Sequence, residues 1–285
     1  MKFTALIFFL SGVIVSAQVM FFFTHYSTLL SSFCTKIPIV LAIFCELRLF
    51  PDRIIQGWPA VAGQFPHQVH LRTVTPTGSL NACGGSLITS QWVLTAAHCL
   101  VALVYVTFPD MLLEATDFFI HPKYNPTSLN NDLGLINLGR VVPISATIKP
   151  IRIPGLGAIN ITFAGEVATV SGWGRTGNTL PVSETLNYVN VTIITNAICT
   201  NDYSSTYIVD STICSVGIQN TAQGTCNGDS GGPLIHYGSD GEPTLIGVVS
   251  FVSSRGCDSG YAAGYVRPQF FFDWINESIA IAKDL

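Results

Sequence analysis

Three short segments carry the residue types that acyl-transfer chemistry needs: Gly228-Asp229-Ser230-Gly231-Gly232-Pro233, Leu94-Thr95-Ala96-Ala97-His98-Cys99 and Asn131-Asp132-Leu133-Gly134-Leu135-Ile136. A serine wedged among glycines can hold its side-chain oxygen in the open beside several free backbone N–H groups, the surroundings a nucleophile needs. Its hydroxyl reacts poorly at neutral pH unless a base within hydrogen-bond reach takes the proton. Histidine titrates near neutrality, so it can accept that proton and hand it to a leaving amine. A buried carboxylate completes the set by fixing the imidazole tautomer and stabilising the imidazolium.

Each segment also has a plainer reading. The hexapeptide alone would suit a Gly-rich turn. Among six histidines, His25, His70, His121 and His236 read as surface or satisfied core residues, whereas His98 abuts Cys99 at the end of a Val-Leu-Thr-Ala-Ala strand. Asp110 and Asp117 lie on the same stretch as Asp132, but only Asp132 precedes an apolar run able to bury it.

With the three segments in the order His, Asp, Ser, the chain resembles the chymotrypsin-like, trypsin-fold serine proteases from Arg53 to about Lys283. The resemblance implies that Ser230 is the nucleophile, His98 the general acid and base, and Asp132 the orienting carboxylate, with the amides of Gly228 and Ser230 as oxyanion hole. It implies that Arg53-Ile54-Ile55-Gln56-Gly57 is an activation site: cleavage after Arg53 frees the Ile54 amine, which pairs with Asp229 and orders the oxyanion hole. Relatives carry Gly-Gly where this chain has Gln56-Gly57, a mild departure because insertion depends on the chain end and its apolar side chain. The family pattern pairs Cys83 with Cys99, Cys199 with Cys214 and Cys226 with Cys257. A further bridge of some relatives is absent, its positions being Ala168 and His236.

The same pattern places Gly224 at the floor of a specificity pocket, Val252 and Ala263 at its neck, and Ser250-Phe251 where the substrate backbone lies. A floor without a carboxylate disfavours Lys or Arg at P1, the substrate residue before the cut bond, because the cation would lose its hydration unpaired. Val252, often a glycine in relatives, narrows the neck and favours small to medium apolar P1 residues. Gly224-Thr225-Cys226-Asn227 also resembles arthropod brachyurin-type enzymes of broad range, so chymotrypsin-like and elastase-like readings both stay open. His98 and Asp132 are only 34 residues apart, less than in most relatives. Two strands joined by Pro109-Asp110 fill that interval, and the loop that carries an acidic calcium site in many relatives is missing. No metal and no cofactor are expected.

The elements that position these residues are short strands. Apolar runs recur between Gly, Pro, Asn and Ser clusters at Gln68–Leu71, Gly85–Ile88, Val101–Phe108, Met111–Ile120, Glu166–Ser171, Asn187–Ile194 and Leu245–Phe251. That spacing indicates an all-β barrel or sandwich; the resemblance implies two packed antiparallel six-stranded β-barrels. Only the tail reads as helix, with Phe271, Trp274, Ile275, Ile279 and Ala282 on one face after Pro268.

Composition sets further limits. The four basic and two acidic residues ahead of Ile54 leave 9 basic against 15 acidic residues, a formal charge of −6, over the remaining 232. So acidic and sparsely charged a chain argues against nucleic acid and anionic membrane as partners. Eight cysteines behind an apolar leader indicate an oxidising, extracellular destination. Residues 1–17 read as a signal peptide ending in Val15-Ser16-Ala17, 18–53 as an unusually apolar prosegment, and 54–285 as the protease domain. Lys36, Glu46 and Arg48 break the prosegment below the ~20 apolar residues of a spanning helix. Cys34 and Cys45 have no evident partner in the protease portion. Asn160-Ile161-Thr162, Asn190-Val191-Thr192 and Asn276-Glu277-Ser278 are glycosylation triplets.

The reading is therefore a secreted, monomeric zymogen of a serine endopeptidase, acting on protein or peptide substrates and activated by a trypsin-like protease. Two other classes are weighed against it: a silent homologue used as a binding module, against which the complete triad argues, and a membrane-tethered protease retaining residues 18–50.

Overall fold

Alternation of apolar and polar side chains along extended runs shapes both halves of the molecule. The computed structural model describes residues 54–74, 78–100, 103–115 and 117–282; the signal peptide, the prosegment with Cys34 and Cys45, and Arg53 lie outside them. A two-residue strand, β1 (Trp58–Pro59), opens the described chain. The first sheet comprises β2 (Gln68–Val74), β3 (Leu80–Leu87), β4 (Trp92–Thr95), β5 (Leu103–Phe108), β6 (Met111–Ala115), β7 (Asp117–Ile120) and β8 (Gly134–Asn137). Its order is β6-β5-β2-β3-β4-β8-β7, every pair antiparallel. Since β6 and β7 are consecutive segments, one on each outer neighbour, the run Met111–Ile120 closes this sheet as a barrel of six strands. The shortened interval between His98 and Asp132 suffices for the closure: Phe108 pairs with Met111 across the turn at Pro109 and Asp110.

The second sheet comprises β9 (Val167–Gly172), β10 (Asn187–Ile194), β11 (Thr212–Gly217), β12 (Pro233–Tyr237), β13 (Pro243–Phe251) and β14 (Ala263–Val266). Its order is β10-β11-β14-β13-β12-β9, closed by direct pairing of β9 with β10, with β1 added along β10. The fold is thus all-β, two antiparallel barrels of six strands. In β10 the alternation is unbroken: Asn187, Val189, Val191 and Ile193 are buried and the residues between them are partly exposed. Burying each of those apolar side chains stabilises the barrel by roughly 1.5–3 kcal/mol, and a one-residue slip would turn all of them to solvent.

A short helix, α1 (Asn196–Cys199), is capped by Thr195, whose Oγ1 accepts the Ile198 N–H at 3.2 Å. The chain ends in a 3-10 turn, Pro268–Phe271, running into α2 (Phe272–Ile281). Pro268 opens the turn, where its missing N–H is no loss. Phe271 and Ile275 are buried and Trp274, Ile279 and Ala282 half-buried against the cluster that fills the first barrel. Between the barrels, buried Ser171 donates to Gln68 Oε1 at 2.6 Å, and the Gly84 N–H donates to the Ser230 carbonyl at 2.6 Å. The interface they define holds the residues of chemical interest.

Candidate active site

His98 lies in a 3-10 turn, Ala97–Cys99, where β4 ends. A disulfide from Cys99 to Cys83 in β3 anchors the turn, with S–S 1.98 Å. Asp132 follows Asn131, whose φ of +57° is a left-handed turn that asparagine tolerates. Leu133, Leu135 and Ile136, fully buried, draw the chain into the barrel and take Asp132 with them to complete burial. The carboxylate is well supplied with donors there. His98 donates from its backbone N–H to Oδ1 at 2.9 Å and from Nδ1 to Oδ2 at 2.7 Å. Ser250, at the end of β13, donates its hydroxyl to Oδ2 at 2.6 Å. With Nδ1 held as a donor, Nε2 is left as the basic nitrogen of a neutral ring. The His98 ring is 28% exposed while Asp132 is sealed, so one end of the pair meets solvent and the other does not.

Ser230 sits on the second barrel's side of this cleft, its carbonyl 3.6 Å from Cys99 Sγ and so next to the His98 turn. The turn that presents it is tight: Asp229 N–H donates to the Cys226 carbonyl at 3.0 Å, Gly231 N–H to Val249 at 2.7 Å and Gly232 N–H to Asp229 at 2.9 Å. Gly231 has φ +78°, and a Cβ there would lie 2.1 Å from Thr95 Oγ1, so both conformation and space demand glycine. The amides of Gly228 and Ser230 donate to no protein carbonyl among the described residues. They are the free N–H groups beside the hydroxyl. Cys83 and Cys99 lie near the imidazole, but a disulfide has used both sulfurs and leaves no thiolate for a metal.

Asp229 is fully buried in a cradle made by loop 173–183 and the serine turn. Its Oδ1 accepts the Gly174 N–H at 2.7 Å and its Oδ2 the Cys226 N–H at 2.9 Å. Burial pushes its pKa up to about 7 against the pull of those two amides. No ion pair reaches it among the described residues. Ile54 is also fully buried, in one apolar cluster with Val170, Leu234 and Tyr265. Tyr265 shares that cluster with Ile54, and burial first, and also the charge of Asp229, push its hydroxyl up to about 12. Ile55 bridges to Gly224, and Ile54 is held at φ +34°, a conformation foreign to a β-branched residue.

Gly224, Val252 and Ala263 line one pocket, together with Ser215, Thr225 and Tyr261. A side chain at Gly224 would project into open space, so the floor is bare. Disulfides Cys226–Cys257, with S–S 2.05 Å, and Cys199–Cys214, with S–S 2.03 Å, brace the pocket wall and α1. The Ser250 side chain is committed to Asp132. Sequence reasoning missed that hydroxyl, and it missed Gly174 and loop 173–183 as the cradle of Asp229. The Gly172-Trp173-Gly174 run was the available signal for the cradle, since a side chain at either glycine would overlap the carboxylate, 2.2 Å and 2.4 Å from its atoms.

With this geometry in place, comparison with known proteins is informative. The family model described as Trypsin matches residues 54–275. A collagenase of Hypoderma lineatum is 36% identical over 245 residues, covering 83% of this chain and 90% of the relative. A brachyurin of Leptuca pugilator is 34% identical over 242 residues, covering 80% and 99%. The solved structure of HL collagenase matches with a TM-score of 0.72 and 37% identity over 80% of this chain and 99% of the other.

Proposed function

The chain belongs to the trypsin family of serine proteases and is a serine endopeptidase, and from that premise we propose that it is a secreted, monomeric zymogen that hydrolyses peptide bonds after apolar P1 residues. The observation that carries the proposal is the pairing of two sets around one serine: a donor-rich carboxylate behind His98, and a cationless buried carboxylate beside Ser230.

In this reading Ser230 Oγ attacks the scissile carbonyl carbon while its proton passes to His98 Nε2. The oxygen of the tetrahedral intermediate takes its negative charge into the amides of Gly228 and Ser230, an arrangement whose loss costs roughly 3 kcal/mol of barrier. Collapse breaks the C–N bond, and the imidazolium gives its proton to the leaving amine. Water then enters, loses a proton to His98 and releases the acid by the reverse exchange. Asp132 stabilises the imidazolium at each half-step, and the Ser250 hydroxyl keeps Oδ2 aimed at Nδ1.

Activation follows from Asp229 and Ile54. Among the described residues of the uncut chain the Asp229 carboxylate is buried without a cation, and Ile54 reaches its buried site at φ +34°, a strain of order 1–3 kcal/mol. Cutting after Arg53 removes that dihedral constraint and creates the missing ammonium. The start of the family match at Ile54, and full-length coverage of brachyurin by four-fifths of this chain, support the boundary. Residues 1–17 are then signal peptide and 18–53 the prosegment. No helix among the described residues is long and apolar enough to cross a membrane.

The pocket lining carries no carboxylate, which supports apolar P1 residues. The test is hydrolysis of p-nitroanilides by the chain cut after Arg53. Turnover after Ala, Val, Leu or Phe should far exceed that after Arg or Lys and vanish in Ser230→Ala; a preference for Arg contradicts the proposal.

A further inference from the structure

The mechanism leaves unused a contact that ties the outer rim of the pocket to a distant loop. Loop 173–183 is a hairpin: Arg175 bridges to Val182, and the Ser183 N–H donates to the Trp173 carbonyl at 2.9 Å. Asn178, near its exposed tip, reaches across to the rim. Its Oδ1 accepts the Cys257 N–H at 2.8 Å, and its Nδ2 donates to Asp258 Oδ1. The rim is shaped to receive this amide. Gly256 has φ +113°, which favours glycine, and a Cβ there would lie 2.3 Å from Asn178 Nδ2 and push the amide aside.

The two bonds complete a ring. Cys257, which receives Asn178, is joined by disulfide to Cys226 at the start of the serine turn. From that turn the Asn227 carbonyl accepts the Arg175 N–H at 2.8 Å, and Gly174 of the same hairpin donates to Asp229. Gly256 and Cys257 line the specificity pocket directly. Opposite Asn178 the rim holds itself with an Arg255–Tyr261 contact and a Ser259 hydroxyl bonded to the Gly256 carbonyl at 2.5 Å. Among the described residues, the hairpin's hydrogen bonds to the rim come from one side-chain amide, that of Asn178.

We infer that Asn178 is a positioning residue for specificity: its amide clips the rim at Gly256–Asp258 to loop 173–183 and so sets the width of the P1 pocket. This rests on the protease reading above. Asp258 is the acceptor that fixes the amide's orientation, because a carboxylate accepts only and Cys257 N–H donates only. The clip can therefore be inverted. An aspartate at 178 facing an asparagine at 258 keeps the bond from the Cys257 N–H and makes the other with donor and acceptor exchanged, whereas two facing carboxylates repel.

The experiment compares wild type, N178A, N178D, D258N and N178D/D258N, each cut after Arg53 and counted by active-site titration with a fluorophosphonate. Substrates are p-nitroanilides with Ala or Phe at P1. N178A, which loses two modest hydrogen bonds, should raise KM for the Phe substrate about tenfold, and N178D, which sets two carboxylates face to face, should raise it similarly, with kcat per titrated site within about twofold. The Ala substrate should change less. N178D should recover as pH falls and its carboxylate shares a proton with Asp258. D258N should stay near wild type, because asparagine also offers an acceptor, and N178D/D258N should restore the wild-type KM. An unchanged Phe-to-Ala ratio in N178A, or a double variant no better than N178D, overturns the clip. Absence of titratable sites in the wild type overturns the protease reading beneath it.

Discussion

Asp132 and Asp229 are both sealed from solvent, one at the edge of each barrel, yet their surroundings differ in kind. Among the described residues Asp132 has three donors, one of them the His98 imidazole. Among the described residues Asp229 has two backbone amides and no cation, and burial lifts its pKa to about 7. The difference teaches that burial alone does not define a working carboxylate. In one place the partners are built into the fold; in the other, on the activation proposed above, a covalent cut supplies the partner.

The largest effect expected from breaking this comparison lies at Asp132. Asp132→Asn should lower kcat about 10⁴-fold at neutral pH with little change in folding, since the amide presents the wrong tautomer of His98; p-nitroanilide kinetics with a thermal melt will check it. At the other carboxylate the same change should act with two signs. In the uncut chain Asp229→Asn removes an unpaired buried charge and should raise stability at pH 8. In the cut chain it strands the ammonium of Ile54, which at roughly 3–5 kcal/mol for a broken buried pair should leave about 10²–10⁴-fold less active enzyme. Urea midpoints of both forms, with activity of the second, decide it.

A pH series sharpens the same point. With Asp229 raised from its ordinary 3.8 to about 7, the folded uncut chain holds a proton that the unfolded chain has released across that window. Stability is then fully present below about pH 4 and lost as pH rises through about 7, by up to about 4 kcal/mol. In the cut chain the ammonium favours the ionised carboxylate, and this loss should disappear. Equal slopes in the urea midpoints of Arg53→Gln and cut wild type between pH 5 and pH 8 would rule out the pairing. The smallest effect is at the pocket: Val252→Gly should raise kcat/KM for Phe relative to Ala by ~1–3 kcal/mol equivalent, read from the two p-nitroanilides.

Much of this was legible in the residues, for reasons that differ by element. Asn187–Ile194 alternates without interruption and is observed within the bounds its pattern suggests. Met111–Ile120 reads as one apolar run and serves as one stretch of barrel, though its halves pair with different neighbours. Thr212–Gly217 and Ala263–Val266 were not anticipated, because short segments rich in small and polar residues carry no period of their own and are extended only by neighbours. The catalytic residue types announce themselves through local sequence. The Ser250 hydroxyl behind Asp132 and the Asn178 amide at the pocket rim do not, since each acts on a residue about 80 or more positions away.

The most direct measurement is the rate at which a fluorophosphonate modifies Ser230 before and after cleavage at Arg53, followed by intact mass and by peptide sequencing of the modified site. One adduct per chain on Ser230 is expected in the cut protein. In Arg53→Gln, held uncut, labelling should be slower by at least about a hundredfold, in line with an oxyanion hole that awaits its buried pair. Equal labelling of cut and uncut chains, or an adduct on any residue other than Ser230, would contradict the assignment of Asp229 as the switch and Ser230 as the nucleophile.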